Sequence, residues 1–440
     1  MNRSHRLGFA PLAALAAVAM LVAACGSNSS SSSGALQASA PGVTAKTITV
    51  GSTQPLTGIA APGYDEIAPA SNAYFQYVNA HGGVYGRKIV YKYLNDQYNS
   101  SITTTDVRQL ILQDHVFAIF NGLGTPTHLA VAPFINAEKV PDLFVASGCA
   151  CWNATSSWPQ TFGWQLNYIR EGKILGSYIA ANFKGKKIAF FYQDDEFGLD
   201  GVKGLSAEIP ASQVVAKEPY NVAAANPAAE VGTLAAALKA SGAQVVVTFA
   251  VPAFMAILRL SDLGLGYNPT IVSSSVGSDP QTLAGLLNAY AKKSGSFGMS
   301  LIEGLITDSY LPSLGSNDSW IQLFTKIHNQ YIPKLPLDGN VLYGMSVGYT
   351  FVQALLKAGR NPTRQDLVNA VNGGLPQGVS VAPYAYSSGD HDGITGAFMA
   401  EIKNGVISPL GPVQVTDTTA TGAVTADNTA QPPAPTSGIP

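Results

Sequence analysis

Two loops of small, polar residues carry side chains suited to ligand chemistry. Thr125 follows the apolar run 116–120, whereas Ser147 and Cys149 follow the apolar run 143–146. Both runs have the β-branched and aromatic composition of buried parallel strands. Neighbouring strand ends of an open parallel sheet form a crevice in which ligands bind. The alternative is that both loops are ordinary strand-to-helix turns, which every α/β protein contains.

The loop at Thr125 also predicts an anion site. Thr125 is a suitable N-cap, and Pro126 suits the first helical position, where its missing N–H has no cost. We predict a helix over residues 127–137, with its free amide groups pointing back to the strand end. Such amides bind carboxylates and phosphates.

A second motif suggests an enzyme. Gly344, Ser346 and Gly348 match the G-x-S-x-G nucleophile elbow, and Asp390 and His391 follow later in the chain. Adjacent residues point in different directions, so these two could hardly both reach one serine, and the preceding turn places Ser346 inside a helix. A serine hydrolase is therefore a remote alternative, and we predict no catalytic residues.

The elements that position these loops alternate between strand and helix. A first series is predicted as strand 46–51, helix 66–79, strand 88–94 and helix 103–113. A second series follows, with helix 167–183 and strands 187–192, 213–220, 243–249 and 270–274. Strict alternation implies parallel sheets with helices on both faces. Two such series predict two lobes and a pocket between facing strand ends.

The remaining elements are assigned to both lobes. Strand 305–309 is interpreted as a return crossing, helices 319–330, 340–358 and 363–371 as additions to the first lobe, and strands 384–386 and 396–403 as a second return. Residues 416–440 have almost no large apolar side chain, so we predict a disordered tail.

The N-terminus indicates export. Arg3 and Arg6 precede an apolar stretch over residues 7–24, which ends in small residues before Cys25. This arrangement is typical of a secretory signal, the alternative being a membrane-spanning helix of minimal length. Because Cys25 and the serine run after it resemble a bacterial lipobox and its tether, we expect Cys25 to be lipidated.

Composition limits the partners and the metal chemistry. Residues 1–24 hold two of the 25 Lys and Arg but none of the 27 Asp and Glu, so the mature chain is mildly acidic. Since it has no basic cluster, we expect no nucleic-acid partner. Cys149 and Cys151 either form a strained disulfide or remain free thiols. No histidine lies near them in sequence, so no metal and no cofactor are predicted.

Five segments together identify a family. From Lys46 to about Pro412 the chain resembles the type I periplasmic binding proteins of ABC importers, in particular the leucine/isoleucine/valine-binding branch. The segments are KTITVGSTQPLTG, NAHGGVYGRKI, NGLGTPTH, KIAFFYQDDEFG and FMAILRLSDLG. The resemblance implies two Rossmann-like lobes with parallel sheets joined by three crossovers, which close around a small solute and deliver it to a membrane permease.

The resemblance also implies a ligand site. In the family's amino-acid binders, loops corresponding to Gly124 and Thr125, and to Ser147 and Cys149, meet the ligand carboxylate. The second lobe would add Phe197, Val251 and, at the place of a glutamate that neutralises the ligand ammonium, Ser275. We add Gln54, Leu56 and Thr57, from the loop after the first strand, to the candidate ligand-binding residues.

Ser275 departs from the family pattern. A buried ammonium without an anionic partner costs several kcal/mol, which argues against an ordinary α-amino acid unless Asp194 or Asp195 substitutes for the glutamate. We therefore expect an amide, an organic acid or an apolar or aromatic compound, without excluding an amino-acid-like solute. A ligand-sensing receptor of the same fold is the alternative function, because it would need the same cleft.

The predicted organisation has five parts. They are a signal peptide over 1–24, a lipidated flexible linker over 25–45, lobe 1 over 46–165 and 305–380, lobe 2 over 166–304 and 381–415, and the tail. We expect a monomer that is lipid-anchored at the extracytoplasmic face of the cell membrane and works with an ABC permease.

Overall fold

The computed structural model describes residues 35–440. The predicted signal peptide, Cys25 and most of the linker lie outside the described residues. From residue 47 to 163 the chain forms β1 (Thr47–Gln54), α1 (Ile67–Ala80), β2 (Lys88–Asn95), α2 (Ser100–Leu112), β3 (Ile119–Phe120), α3 (Thr125–Leu129), α4 (Ala132–Ala137), β4 (Asp142–Val145) and β5 (Thr161–Gly163).

The second series begins directly afterwards. It comprises α5 (Tyr168–Asn182), β6 (Ile188–Gln193), α6 (Glu196–Glu208), β7 (Val214–Tyr220), α7 (Pro227–Ala240), β8 (Val245–Phe249), α8 (Pro252–Leu265), β9 (Thr270–Ser273), α9 (Pro280–Ala291), α10 (Phe297–Ser300) and β10 (Ile306–Ser309). The chain ends with α11 (Ser319–Tyr331), α12 (Gly339–Ala358), α13 (Arg364–Asn372), β11 (Gly396–Lys403), β12 (Val406–Val415) and β13 (Thr425–Asp427).

Within residues 35–440 the strands form two sheets. The first has the order β2-β1-β3-β4-β5 and is parallel throughout. The second has the order β13-β12-β11-β10-β9-β8-β6-β7, parallel from β7 to β10 and antiparallel from β10 to β13. Strands β4 and β8 are buried at every position, as expected where both faces of a sheet are covered. The predicted α/β class with two lobes is confirmed.

From residue 35 to the end of β12 the chain passes between the two lobes three times, and residues 432–438 then return to α1 and α11 of the first lobe. It leaves the first sheet after β5, returns after β10 so that α11 and α12 pack on α1, and crosses again between α13 and β11. Our assignment of strand 305–309 to the first lobe is wrong, because Ile306 pairs with Val272 of β9 and with Glu401 of β11. Strand order is set by long-range pairing, which the local pattern does not contain.

Helix α12 explains the G-x-S-x-G motif. Ser346 lies in the middle of this helix, is fully buried and donates a hydrogen bond to the Leu342 carbonyl over 2.6 Å. A Cβ atom at Gly344 would lie 2.4 Å from the Ile67 carbonyl oxygen, so glycine permits the close packing of α12 on α1. The motif serves helix packing, and Ser346 is not presented as a nucleophile.

Two other local predictions differ from the structure. The helix predicted over 127–137 is two short helices, α3 and α4, which break at Ala130. The strand predicted over 384–386 is reduced to a single bridge between Tyr384 and Ile394. Among the described residues, no helix combines the length and apolar character that a membrane crossing requires.

The C-terminal segment is ordered, which contradicts the predicted disordered tail. Its strand β13 pairs with β12, and the Pro432 carbonyl accepts a hydrogen bond from Trp320 Nε1 over 2.7 Å. The Ser437 and Gly438 carbonyls accept hydrogen bonds from the Tyr77 and Tyr74 hydroxyls. Backbone carbonyls make these contacts whatever the side chain, so composition did not reveal them.

Candidate functional site

A cleft of about 220 Å³ lies between the carboxyl ends of the two sheets. Five of the predicted ligand-binding residues border it: Gly124, Thr125, Phe197, Val251 and Ser275. The first two follow β3, and the others follow β6, β8 and β9. The topological rule for open parallel sheets thus brings residues up to 151 positions apart to one cleft.

The first-lobe wall is formed around Gly124 and Thr125. Gly124 caps α3 with a φ of 105°, a conformation that glycine adopts without strain. A Cβ atom there would lie 2.4 Å from Thr127 Oγ1 and 2.5 Å from the Tyr98 ring. Thr125 Oγ1 lies 2.7 Å from Ser147 Oγ, so these two buried hydroxyls satisfy each other.

The predicted anion site at this wall loses its main support. Thr125 is the first residue of α3 and not its N-cap, and α3 spans only five residues. A macrodipole needs several aligned peptide units, so this short helix presents little positive potential.

The aromatic part of the second-lobe wall depends on a helix cap. Asp195 accepts a hydrogen bond from Phe197 N over 3.0 Å and thereby starts α6. Phe197 then packs against Tyr168 with ring centroids 4.6 Å apart. Neither Asp195, which caps α6, nor Asp194, which is exposed, borders the cleft. These residues therefore do not take the place of the family's glutamate.

Ser275 holds a pair of buried acids. Its backbone N–H and its hydroxyl both donate to Glu171 Oε1, over 2.8 Å and 2.7 Å, and its N–H also reaches Asp308 Oδ1 over 3.2 Å. Burial raises the pKa of Glu171, and burial together with the neighbouring Glu171 charge raises the pKa of Asp308 well above its usual range. Asp308 borders the cleft.

Direct hydrogen bonds join the two lobes at the cleft. Tyr64 donates from its hydroxyl to the Val276 carbonyl over 2.9 Å, and the Gly339 N–H donates to Asp279 Oδ2 over 2.9 Å. The structure is therefore a closed form, in which the cleft wall is assembled from both lobes.

The rim of the cleft carries a second acidic group. Burial and the Asp338 charge raise the pKa of Glu66 to about 9, and burial together with the Asp279 charge raises the pKa of Asp338 to about 6. Asp279 belongs to the second lobe, so closure brings like charges together. Within residues 35–440 no group of three or more His, Cys, Asp or Glu side chains is arranged so that it could hold a metal ion.

Five other predicted residues do not border the cleft. Gln54 is buried and donates to Ser52 Oγ and the Asn121 carbonyl, Leu56 is half-buried, and Thr57 is exposed. Ser147 lies behind Thr125, and Cys149 is joined to Cys151 by a disulfide bond. These residues support the loops that reach the cleft.

Sequence reasoning missed most of the aromatic wall. Tyrosines from both lobes border the cleft, namely Tyr64, Tyr98, Tyr168, Tyr310 and Tyr343. Tyr98 follows the end of β2, a position that the strand-end rule could have identified. The others lie in helices, loops or crossing segments, where no local signal distinguishes a cleft residue from a core residue.

Comparison with known proteins places the chain in a family. Residues 47–406 match the family model described as "Periplasmic binding protein". A "Leu/Ile/Val-binding protein homolog 3" from Brucella melitensis is 23% identical over 207 residues, which is 45% of this chain and 53% of the relative. The matched region thus spans about half the length of that curated relative.

Solved structures show the same fold. A branched-chain amino acid ABC transporter protein from Thermus thermophilus with bound valine has a TM-score of 0.70 at 19% identity, covering 85% of this chain and 97% of the other. A fatty acid ABC transporter substrate-binding protein from Thermomonospora curvata has a TM-score of 0.70 at 21% identity, covering 90% and 97%. Because the family model covers residues 47–406, well over half of the sequence, the chain belongs to the periplasmic binding protein family.

Proposed function

We propose that this protein is an extracytoplasmic lipoprotein that captures one small organic molecule in its interlobe cleft and delivers it to the permease of an ABC importer. The observation that carries the proposal is the closed cleft, to which both lobes contribute aromatic and polar side chains. Anchoring through a lipid on Cys25 would keep a monomer beside its permease. The similar proteins from Thermus and Thermomonospora, named for branched-chain amino acid and fatty acid transport, support this class of function.

Capture is favoured over catalysis. Ser346 is fully buried and bonded within α12, so the hydrolase alternative has no exposed nucleophile at that motif.

The proposed lobe 1 comprises residues 46–165 and about 310–380, and the proposed lobe 2 comprises residues 166–309 and 381–415. The boundary near residue 310 takes account of the pairing of β10 with β9.

Ligand capture is tested by purifying the protein from its own host and recording native mass spectra. We expect a co-purifying small molecule, and calorimetry with that molecule measures Kd. Replacing Phe197 with Ala removes a buried ring from the cleft wall and should weaken binding at least about tenfold. Leu199→Ala is the matched control, because Leu199 lies on the same helix and is 50% exposed. Absence of any bound molecule, or equal Kd values in both variants, would contradict the proposal.

Anchoring and delivery need separate tests. Cys25→Ser should move the protein from the membrane fraction to the soluble fraction and abolish incorporation of labelled palmitate. Deleting the gene should abolish uptake of the identified ligand, and the wild-type gene should restore it. Unchanged uptake in the deletion strain would favour the sensing alternative.

A further inference from the structure

The cleft wall has an unusual charge balance. Among the described residues that border it there is no Lys, Arg or His, and the charged ones are Asp279 and Asp308. Asp279 already accepts hydrogen bonds from Thr282 N and Gly339 N, one at each oxygen. An anionic ligand would therefore lose its water shell without gaining a cationic partner.

Asp308 differs from Asp279 because it is paired with a second acid. Asp308 and Glu171 are both at least 99% buried and hydrogen-bond to each other, and Asp308 Oδ2 and Glu171 Oε2 accept no N–H or hydroxyl donor from the described residues. Buried acceptors without donors are costly, and a ligand N–H group would satisfy them. The pair comes from α5 and β10, so its position is fixed by two regular elements.

The surroundings of this pair suit a cation. Burial and the Glu171 charge raise the pKa of both Tyr168 and Tyr310, so both phenols lie within the field of the pair and stay neutral. Both tyrosines also border the cleft. Aromatic rings attract cationic nitrogen and a carboxylate neutralises it, whereas neither favours a carboxylate ligand.

We propose that the solute is an organic cation, whose amine or ammonium nitrogen binds Asp308 and Ser275 Oγ while its apolar body packs against the tyrosine rings. This inference rests on the proposed solute-binding function and specifies the class of solute. Ser275 stands where the family has an acidic residue. Besides its contact with the ligand nitrogen, its N–H and O–H groups hold Glu171 beside Asp308.

The test compares ligands of one shape and different charge. Each compound is titrated into the protein by calorimetry: the amines hexylamine and 2-phenylethylamine, the acids hexanoate and 3-phenylpropionate, and the amide hexanamide. In a separate measurement, native mass spectrometry identifies the co-purifying ligand and thereby its charge. We expect the amines to bind at least about tenfold more tightly than the matched acids and amide. An anionic or neutral native ligand, or tighter binding of the acids, overturns the inference but leaves solute capture intact. If no panel compound binds, the charge of the native ligand decides, and failure to find any ligand overturns both proposals.

Variants locate the effect at the acid pair. Because the two acids share one proton, Asp308→Asn alone leaves Glu171 charged. The double variant Glu171→Gln/Asp308→Asn keeps the shape and removes the charge of the pair, so amine binding should weaken at least about tenfold. If this variant folds poorly, the charge of the native ligand found by mass spectrometry decides. Asp262→Asn is the control, since Asp262 is 1% exposed but pairs with Arg259 on α8, away from the cleft wall. Unchanged amine affinity in a folded double variant overturns the inference.

Discussion

The first-lobe wall around Thr125 and the second-lobe wall around Ser275 both form at strand ends, but their polar groups are paired differently. Thr125 and Ser147 are neutral hydroxyls that satisfy each other. Ser275 instead donates to a buried acid pair, in which one oxygen of each carboxyl group accepts no N–H or hydroxyl donor from the described residues. The two walls therefore differ in charge, and the inferred contact with the polar group of the ligand is assigned to the acid pair and not to the loop of small residues.

The largest expected effect comes from overfilling the first-lobe wall. Gly124→Ala places a Cβ atom 2.4 Å from Thr127 Oγ1 at a φ of 105°, so we expect about 3 kcal/mol loss in the free energy of unfolding. Gly266→Ala is the control, because Gly266 has a positive φ but nothing within 4 Å, and it should cost about 1 kcal/mol. Urea denaturation measures both values. Equal losses would mean that the Gly124 loop relaxes freely and is not a rigid part of the wall.

A smaller effect separates the two walls directly. Ser275→Ala removes a hydroxyl donor from a buried carboxylate and should cost about 2 kcal/mol, whereas Thr125→Ala removes a neutral hydrogen bond and should cost about 1 kcal/mol. The same urea titrations measure this difference. A larger loss in the free energy of unfolding for Thr125→Ala than for Ser275→Ala would mean that the hydrogen bond of Ser275 to the acid pair is not the stronger of the two.

The pH dependence of stability gives a further distinction. Burial and the Asp338 charge raise the pKa of Glu66 from 4.5 to about 9, so the folded state binds this proton more tightly than the unfolded state. The resulting stabilisation is complete below about pH 4.5 and is lost as the pH rises towards about 9. The melting temperature should therefore fall between about pH 5.5 and about pH 9, less steeply in Glu66→Gln. Thr125→Ala removes no titratable group and should retain the parent slope, and an unchanged slope in Glu66→Gln would contradict the assignment.

The smallest effect is expected at the disulfide behind the first wall. Cys149 and Cys151 close a very short loop, so replacing both with Ser should cost about 1 kcal/mol. Because neither cysteine borders the cleft, Kd for the native ligand should not change. A clear loss of affinity would mean that this loop contacts the ligand, which would weaken the contrast between the two walls.

Local sequence rules predicted the architecture because they act on neighbouring residues. The alternation of apolar runs and amphipathic segments was sufficient to predict parallel strands with crossover helices and the class of fold. Placement of β10 was wrong because its partners, Val272 and Glu401, are distant in sequence. The tail was also mispredicted, since its contacts use backbone carbonyls that composition does not report.

The residues of the candidate site also include some that local sequence rules identified and others that these rules missed. Gly124, Phe197 and Ser275 were predicted because each follows a strand or matches a family segment, and they do border the cleft. Glu171 and Asp308 were missed, because only Asp194 and Asp195 were considered as substitutes for the family's glutamate, and neither borders the cleft. Glu171 lies 104 residues from Ser275, and no local pattern links them.

Sequence patterns were sufficient to predict the alternation of elements and the loops that end the strands, because each depends on composition or on spacing over a few residues; the signal for export remains a prediction. Which side chains share the cleft, and what charge they present, depends on how the two lobes pack. Burial beside distant partners sets those protonation states, and such burial exists only once the two lobes and their crossing segments have packed together.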